Sequence, residues 1–471
     1  MDFLSKKFHF IAIGGVGMSA LAKYLAERGA CVSGSDVLES KYTKLLREKG
    51  VEVHIGHDEK YVQQDMIVVA SSAIKPENPE IKKAKSLGLK VYHRSDILKM
   101  ISDEFSNREG SYFIGFSGTH GKTTTSGLCA YLLANVGLRP SYVVGGIIPE
   151  LNTNGHYDGD KYFSAELDES DGTIQKYSTD IAVINNMEED HLDYYKNGFS
   201  DIAATFNKYL SNKKSQKVVI NSDNLGNLKF MELYPDYNFI TFGFKDADYV
   251  AKNVTFKGFG SSFDVFYKGK QVDKIELSVP GEHNVHNALA VYAALNEAGV
   301  DCSALKPYFA SFSGMGRRFQ KVTDFNGIEI FDDYAHHPSE IKTTLQSVAK
   351  GKEADKRLVA IFQPHRYSRL QGLWKEFLGA FDCADKLIVT DVFSAGEDKI
   401  EGVNSLNFVK DITNKDVLYA GGSVEEAANK IYPYLQKNDI VITLGAGTVT
   451  KLGKLLEENY KKANTIGANG R

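Results

Sequence analysis

The chain has 471 residues, too many for one hydrophobic core; at roughly 100–200 residues per domain it should divide into about two to four. An apolar share of 42% with 25% charged residues is that of an ordinary water-soluble globular protein. A net charge of -4 excludes nucleic-acid or membrane-surface binding that rests on bulk charge, and no run of about 18 apolar residues offers a membrane span. From Met1 to Lys7 the chain passes straight towards a strand without a leader-type apolar stretch, so a cytoplasmic protein is expected. Cys31, Cys129, Cys302 and Cys383 lie far apart with no C-x-x-C, which argues against disulfides and structural zinc.

Residues 8–13 form an apolar strand that runs into Gly14-Gly15-Val16-Gly17-Met18-Ser19-Ala20, where a helix opens and continues to about Arg28. Gly15-x-Gly17-x-x-Ala20 fits the dinucleotide fingerprint, and a second strand, 31–35, ends in Asp36, where a ribose-binding acid belongs. The pattern suits a diphosphate-bearing nucleotide; close helix–strand packing without a ligand is the alternative. A strand at 66–70, a Ser71-Ser72 turn, a Pro76/Pro79 loop and a short strand at 90–92 follow, and the charged stretch 102–110 reads as a linker.

The next strand, 112–117, leads into Gly118-Thr119-His120-Gly121-Lys122-Thr123-Thr124-Thr125 and then a helical pattern. Strand, glycine turn and helix start aim successive N–H groups at an anion; Lys122 can reach outer phosphates and the Thr123 hydroxyl can hold Mg²⁺. The G-x-x-x-x-G-K-[ST] pattern is incomplete, since Phe116 stands where its first glycine belongs, so Gly118 carries the turn. A nucleoside triphosphate is the expected ligand. Further strands at 142–145, 161–166, 181–185 and 217–221 predict an α/β sheet with a parallel core, and near-alternating segments at 239–244, 249–256, 262–267 and 272–279 predict an antiparallel addition.

Three groups of residues follow the loop in this part of the chain. Glu166-Leu167-Asp168-Glu169-Ser170-Asp171 places four carboxylates at a strand end, the place for Mg²⁺ beside a phosphate loop or, more plainly, a solvated acidic turn. His191 among acids at the next strand end could be a metal ligand, a base near phosphate, or simply hydrogen-bonded. His283-Asn284-x-x-Asn287 at a helix start could cap the helix or offer amides to a purine edge.

The glycine-flexible, doubly basic stretch 311–319 marks a second boundary. Beyond it, strands at 328–332, 357–363, 386–392 and 438–444 predict a second doubly wound sheet. Tyr334, His336, Arg366 and Arg369 follow two of its strands and suit an anionic substrate, with two arginines three apart on one helical face as a carboxylate clamp or, more plainly, as surface residues. Gly445-Ala446-Gly447-Thr448 lacks a lysine and reads as packing; from about Lys461 the tail reads as disordered.

Gly118-Thr119-His120-Gly121-Lys122-Thr123, Glu166-x-Asp168-Glu169-x-Asp171, Asn186-Met187-Glu188-x-Asp190-His191-x-Asp193, His283-Asn284-x-x-Asn287, Arg317-Arg318-Phe319, Asp332-Asp333-Tyr334-x-His336-His337-Pro338 and Gln363-Pro364-His365-Arg366-Tyr367-x-Arg369 occur in this order. In this the chain resembles the Mur ligases, from about Phe8 to about Leu455. The resemblance implies an α/β fold of three domains: a Rossmann-like UDP-binding domain (1–108), a central P-loop ATPase-type mixed sheet (109–314) and a C-terminal Rossmann-like doubly wound domain that brings the amino acid (315–471). It implies a reaction in which ATP phosphorylates the carboxylate of UDP-N-acetylmuramate and the amine of L-alanine attacks the acyl phosphate, with a ready-made tripeptide as the alternative acceptor. Mg²⁺, or Mn²⁺ in its place, is the implied metal, and a monomer or weak dimer is expected.

By the same resemblance, Lys122 neutralises the transferring phosphoryl group, Thr123, Glu166 and His191 hold metal, and Gly118 to Thr124 cradle ATP. Asn284 and Asn287 meet adenine, and Arg318 closes on the phosphates. Arg366 and Arg369 clamp the alanine carboxylate beside Tyr334 and His336, while Gly15, Gly17, Asp36 and Ser71 face the UDP moiety, so the fingerprint is not read as NAD. Later-acting members carry a carbamylated lysine where Phe206 stands here, an absence suited to the alanine-adding branch.

Overall fold

The computed structural model describes residues 6–468 apart from 160, 193, 214–215 and 414, so Asp193 of the sequence motif lies outside the described residues. The chain divides into two compact units. The first comprises 1–254, 263–276 and 285–312, and the second 255–262, 277–284 and 313–471.

The first unit holds one whole sheet and most of a second. One is wholly parallel in the order β3-β2-β1-β4-β5, built from β1 (Lys7–Ile11), β2 (Cys31–Asp36), β3 (Glu52–Ile55), β4 (Met66–Ala70) and β5 (Val91–His93). Helices α1 (Val16–Glu27), α2 (Lys41–Glu48), α3 (Pro79–Ser86) and α4 (Arg94–Ser106) connect them. Strand β1 stops short of the expected Ile13 because Ala12 turns the backbone into the left-handed region, φ 66°. Pro79 opens α3 rather than prolonging a loop: the Asn78 side chain caps the helix, and a proline in the first turn gives up no hydrogen bond. The stretch expected as a linker is largely helix. Helix α4 runs to Ser106, and the Ser102 and Ser106 hydroxyls both donate to Ser178 O, at 2.6 and 2.8 Å.

The second sheet comprises β6 (Tyr112–Ser117), β7 (Ser141–Ile148), β8 (Thr153–His156), β9 (Tyr162–Glu166), β10 (Ile181–Ile184), β11 (Lys217–Asn221), β12 (Phe239–Gly243), β13 (Tyr249–Lys257), β14 (Gly260–Tyr267) and β15 (Lys270–Leu277). Its order is β15-β14-β13-β12-β11-β10-β6-β9-β7-β8, parallel from β7 through β13, with β8 antiparallel to β7. Strands β13, β14 and β15 are joined by two-residue turns, which only antiparallel neighbours permit; β12 and β13 still run parallel, so the first antiparallel strand is β14 and not β12 as expected. Strand β10, Ile-Ala-Val-Ile, is buried throughout, as a central parallel strand must be.

These two sheets share one apolar core. The Tyr24 ring of α1 meets Tyr157 and Phe163 edge-on at 5.6 and 5.4 Å, and Phe105 of α4 packs on Phe163 at 5.0 Å. Backbone closes on backbone as well, since a Cβ on Gly155 would lie 2.3 Å from Ala20 O. The buried Lys23 ammonium donates to Thr153 Oγ1 and Gly155 O at 2.7 and 2.8 Å.

The second unit carries a sheet in the order β16-β17-β21-β18-β19-β20, from β16 (Gln320–Phe325), β17 (Ile328–Asp333), β18 (Arg357–Phe362), β19 (Lys386–Val389), β20 (Val417–Tyr419) and β21 (Asp439–Leu444). All pairs are parallel except β16–β17. The last helix, Leu452–Ala468, continues past Lys461 where disorder was expected; Tyr460, stacked on Phe325 at 5.0 Å, ties it to β16.

Candidate active site

In the second sheet β6 lies between β9 and β10, and the chain crosses from one side of β6 to the other between them. That is a topological switch point, where ligands of open α/β sheets bind beyond the strands' carboxyl ends. Each of the three strands delivers one sequence motif to this edge.

After β6 the loop makes two left-handed turns, at Gly118 (φ 123°) and Gly121 (φ 84°), and α5 (Lys122–Asn135) begins at Lys122. Neither glycine has room for a side chain: a Cβ on Gly118 would sit 2.8 Å from Asn186 O, and one on Gly121 2.7 Å from Asn287 Oδ1 and 2.8 Å from Asn185 Nδ2. The segment after β10 braces the loop. Thr119 N–H donates to Asn186 O (3.1 Å), His120 N–H to Asn186 Oδ1 (2.7 Å) and Glu188 N–H to Thr119 Oγ1 (3.0 Å). Thr123 and Thr124 are half-buried in the first turn of α5.

Lys122 folds back over this loop. Its ammonium donates to Gly118 O (2.6 Å), Thr119 O (3.2 Å) and Glu169 Oε1 (3.0 Å). Burial works against its charge, but Glu169, Asp168 and Glu166 outweigh it and raise the pKa above that of an ordinary lysine. Glu169 is itself pushed above the usual carboxylate range by burial, Lys122 opposing and Asp168 adding. Its Oε2 is buried and has no hydrogen-bond partner among the described residues. Asp168, half-buried, is held below its usual range because Lys122 and Arg94 outweigh the opposing effect of burial.

Thr123, Glu166 and His191 reach the same edge on three separate elements. Glu166 Oε2 accepts Gly145 N–H at 2.9 Å, and His191, at φ 54°, stands 3.7 Å by Nε2 from Asp190 Oδ2. Among the described residues no three His, Cys, Asp or Glu side chains gather as a metal-holding group. Mg²⁺ characteristically takes one or two carboxylates, substrate phosphates and water instead of an all-protein cage, and the donors present fit that habit. Phe206, where a lysine would stand in later-acting family members, is buried in the core against Phe230.

The first sheet's glycine loop is braced by Asp36, whose Oδ2 accepts Gly14 N–H at 2.9 Å. Gly15 and Gly17 flank the start of α1, and Ser71 follows β4. Arg94, which the sequence did not single out, joins this loop to the acidic cluster: a Cβ on Gly17 would lie 3.1 Å from Arg94 Nη1, while Arg94 Nη2 donates to Asp168 Oδ2 at 3.0 Å. Asn185 and Asn186, as braces of the phosphate loop, were likewise missed. Of the two helix-start asparagines, Asn287 abuts Gly121, whereas Asn284 Nδ2 donates to Pro280 O at 2.7 Å, a local bond that ties the helix start to the preceding turn.

In the second unit, a cluster collects beyond β17 and β18. Tyr334 lies under the Arg317 and Arg318 guanidiniums, at 4.9 and 5.2 Å from its ring, and Arg318 Nη1 is 3.9 Å from Glu340 Oε1. His336 Nδ1 is 2.9 Å from Tyr334 O, and Arg369 Nη1 is 3.0 Å from His365 Nδ1. Arg366 does not share a helical face with Arg369: it precedes the helix Tyr367–Gly372 in a left-handed conformation, φ 69°, and is exposed. In the Gly445–Thr448 turn, Gln363 Nε2 donates to Thr448 Oγ1 (3.0 Å) and Arg317 Nη2 to Gly445 O (2.6 Å).

A glycine-turned loop at a switch point, a lysine ringed by carboxylates, and a separate cationic cluster on a doubly wound sheet are what an ATP-using ligase would need. Family models match along the chain: the Mur ligase family catalytic domain over residues 7–106, the Mur ligase middle domain over 116–295 and the Mur ligase glutamate ligase domain over 317–447. The chain belongs to the Mur ligase family. It is 38% identical over 462 residues to the UDP-N-acetylmuramate--L-alanine ligase of Geotalea daltonii, covering 97% of this chain and 99% of that protein. The crystal structure of the UDP-N-acetylmuramate-alanine ligase MurC from Thermotoga maritima superposes with TM-score 0.81 at 29% identity, over 97% of this chain and 99% of that one. A murein peptide ligase from Psychrobacter arcticus shares the fold, with TM-score 0.68 at 22% identity over 96% of this chain and 99% of that one.

Proposed function

We infer that this chain is an ATP-dependent ligase that joins L-alanine to the carboxylate of UDP-N-acetylmuramate in peptidoglycan precursor synthesis. The observation that carries this is the near full-length likeness, at 38% identity, to a UDP-N-acetylmuramate--L-alanine ligase. Tripeptide addition during wall recycling, the alternative, has weaker support, since the murein peptide ligase likeness is 22%. No helix among the described residues is long and apolar enough to cross a membrane, in keeping with cytoplasmic, small-molecule substrates.

A carboxylate is a poor electrophile until one oxygen becomes a phosphate leaving group, so the first step is phosphoryl transfer, achieved mostly by positioning and charge neutralisation. The loop from Gly118 to Thr124 cradles the triphosphate, with the N–H groups of the first turn of α5 facing it while Asn186 takes Thr119 and His120 N–H, and Lys122 exchanges its loop carbonyls for phosphate oxygens. Asn287 meets the nucleotide from beside Gly121, with Asn284 at the same helix start, and Arg318 adds positive charge. Thr123 and Glu166, with water, would hold Mg²⁺ or Mn²⁺, and His191 a second such ion near the carboxylate; bound there, they would supply charge neutralisation at the phosphates. The domains 1–108, 109–314 and 315–471 divide the work as UDP-substrate, ATP and amino-acid binding. Gly15, Gly17, Asp36 and Ser71 take the UDP moiety; Tyr334, His336, Arg366 and Arg369 take L-alanine.

Arg94 belongs to this scheme, because its guanidinium lies between the glycine loop and Asp168. Arg94→Ala should raise the KM for UDP-N-acetylmuramate about tenfold or more, the loss of one charge-assisted contact, with a smaller change in the KM for ATP. Steady-state kinetics with each substrate varied in turn measures this; equal effects on both would make Arg94 a structural tie alone.

The function is tested by phosphate release from ATP with UDP-N-acetylmuramate and L-alanine, glycine, L-serine, D-glutamate or tripeptide as acceptor. L-alanine should support turnover; turnover with tripeptide alone would establish the recycling reaction instead.

A further inference from the structure

Amide formation requires a neutral amine, yet free L-alanine carries its amino group as ammonium at neutral pH. Resting on the reading that the cluster beyond β17 and β18 receives L-alanine, the hydrogen-bond pattern there singles out one base among three imidazoles.

His365 is committed. Its Nδ1 lies 3.0 Å from Arg369 Nη1, and because a guanidinium has only N–H donors, Nδ1 is the acceptor and the neutral ring's proton sits on Nε2. The ring also stacks on Phe393, 5.6 Å between centroids. His337 is drawn into the start of the helix Pro338–Gly351, where its backbone N–H meets Glu340 Oε2 at 3.3 Å and its Nδ1 meets Ser339 Oγ at 3.0 Å.

His336 has the opposite tautomer to His365. Its Nδ1 is 2.9 Å from Tyr334 O, and a carbonyl can only accept, so Nδ1 carries the hydrogen and Nε2 keeps its lone pair. The side chain is 20% exposed, so a small substrate can reach it. The groups facing it are Glu340 from the following helix, Arg369 and His365 from the segment after β18, and Arg318 from the stretch before β16. Burial lowers its pKa below the usual imidazole value, with Glu340 opposing and Arg369 and Arg318 assisting, so the ring is neutral at neutral pH. Arg369, one of the two cations that would hold the alanine carboxylate, thus also helps to keep the base unprotonated.

We propose that His336 Nε2 is the general base that deprotonates the L-alanine ammonium. His336 takes one N–H proton, and the freed lone pair forms the C–N bond to the acyl-phosphate carbon, giving a tetrahedral oxyanion. The C–O bond to phosphate then breaks, with its electron pair leaving on phosphate; the second nitrogen proton departs with phosphate as monohydrogen phosphate, and His336 returns its proton to water.

His336→Asn is the informative variant, because its amide N–H can still donate to Tyr334 O while no basic nitrogen remains. At neutral pH its kcat/KM for L-alanine should fall about 10²–10⁴-fold, the usual contribution of a general base, and recover as rising pH supplies the free amine. ATP-dependent hydroxamate formation with UDP-N-acetylmuramate and hydroxylamine, a nucleophile already neutral at pH 7, should stay within a few-fold of wild type. In the wild type, kcat/KM for alanine should drop as pH falls through the lowered imidazole range. Retention of alanine kcat/KM by His336→Asn at neutral pH, or equal loss with alanine and hydroxylamine, would overturn the base assignment alone. A wild-type enzyme that used tripeptide and not alanine would overturn the acceptor reading and this proposal with it.

Discussion

Replacing Lys122 with methionine, which keeps the apolar stem and removes the charge, should lower kcat by about 10³-fold or more, the range seen when a group that neutralises a transferring phosphoryl is lost. The ammonium lies within hydrogen-bond reach of two loop carbonyls and Glu169 Oε1, so in the free protein it is stored beside the place where phosphate oxygens would arrive. Removing it also leaves Glu169, 5% exposed by its side chain, without its cation. Breaking a buried pair from one side typically costs about 3–5 kcal/mol, but Glu169 is already pushed towards protonation by burial, so the loss should fall below that range. Phosphate release gives the kinetic effect and calorimetric titration with UDP-N-acetylmuramate gives the binding. Turnover should vanish while UDP-substrate binding persists, because the glycine loop of the first sheet is intact. Simultaneous loss of both would refute the division of labour between domains, and a kcat within tenfold of wild type would leave Lys122 a purely structural residue.

Gly118→Ala should be nearly as damaging. At φ 123° an L side chain is strained wherever it sits, at about 1–3 kcal/mol. The new Cβ would also stand 2.8 and 2.9 Å from Asn186 O and N. These are backbone atoms of the segment that braces Thr119 and His120, so relief of the clash pulls the loop away from α5. The KM for ATP should rise at least about tenfold and the melting temperature should fall. Gly137→Ala is the control: its φ is 76°, but nothing lies within 4 Å of the added atom, so it carries strain without collision. It should lower stability modestly and leave the KM for ATP unchanged. If both variants behave alike, strain and not the Asn186 contact governs the loop.

The phosphate loop was legible because its chemistry is local: glycine, lysine and threonine at fixed offsets between an apolar strand and a helix. The buried strands read well for the same reason, β4 and β11 to the residue. What escaped depends on distant partners or on backbone states that residue type does not announce. Arg94 meets Asp168 across 74 positions of sequence, so nothing near either residue signals the pair. The end of α4 looked like a linker because its charged residues suggest solvent, while the serines that matter turn inward to Ser178 O. Arg366 was expected on a helix face, but at φ 69° it stands outside the helix, which begins one residue later at Tyr367. Strands β3 and β20, of four and three residues, are too short to show a period. At the candidate site, position along the sheet edge was readable from strand order, whereas the tautomers of His336 and His365 follow only from hydrogen-bond partners brought together by folding.

The contact of Gly155 with Ala20 gives the first unit an unusual cooperativity. With Tyr24 and Phe105 packed into the core that lies beneath both sheets and Lys23 buried against Thr153 and Gly155 O, the first sheet cannot open without exposing the flank of the second and giving up these Lys23 bonds. Two nucleotide-type sheets therefore form one foldon, and the separation between the glycine loop at Gly15 and the phosphate loop at Gly118 is a fixed length of the native state, set by backbone against backbone and not by a tether.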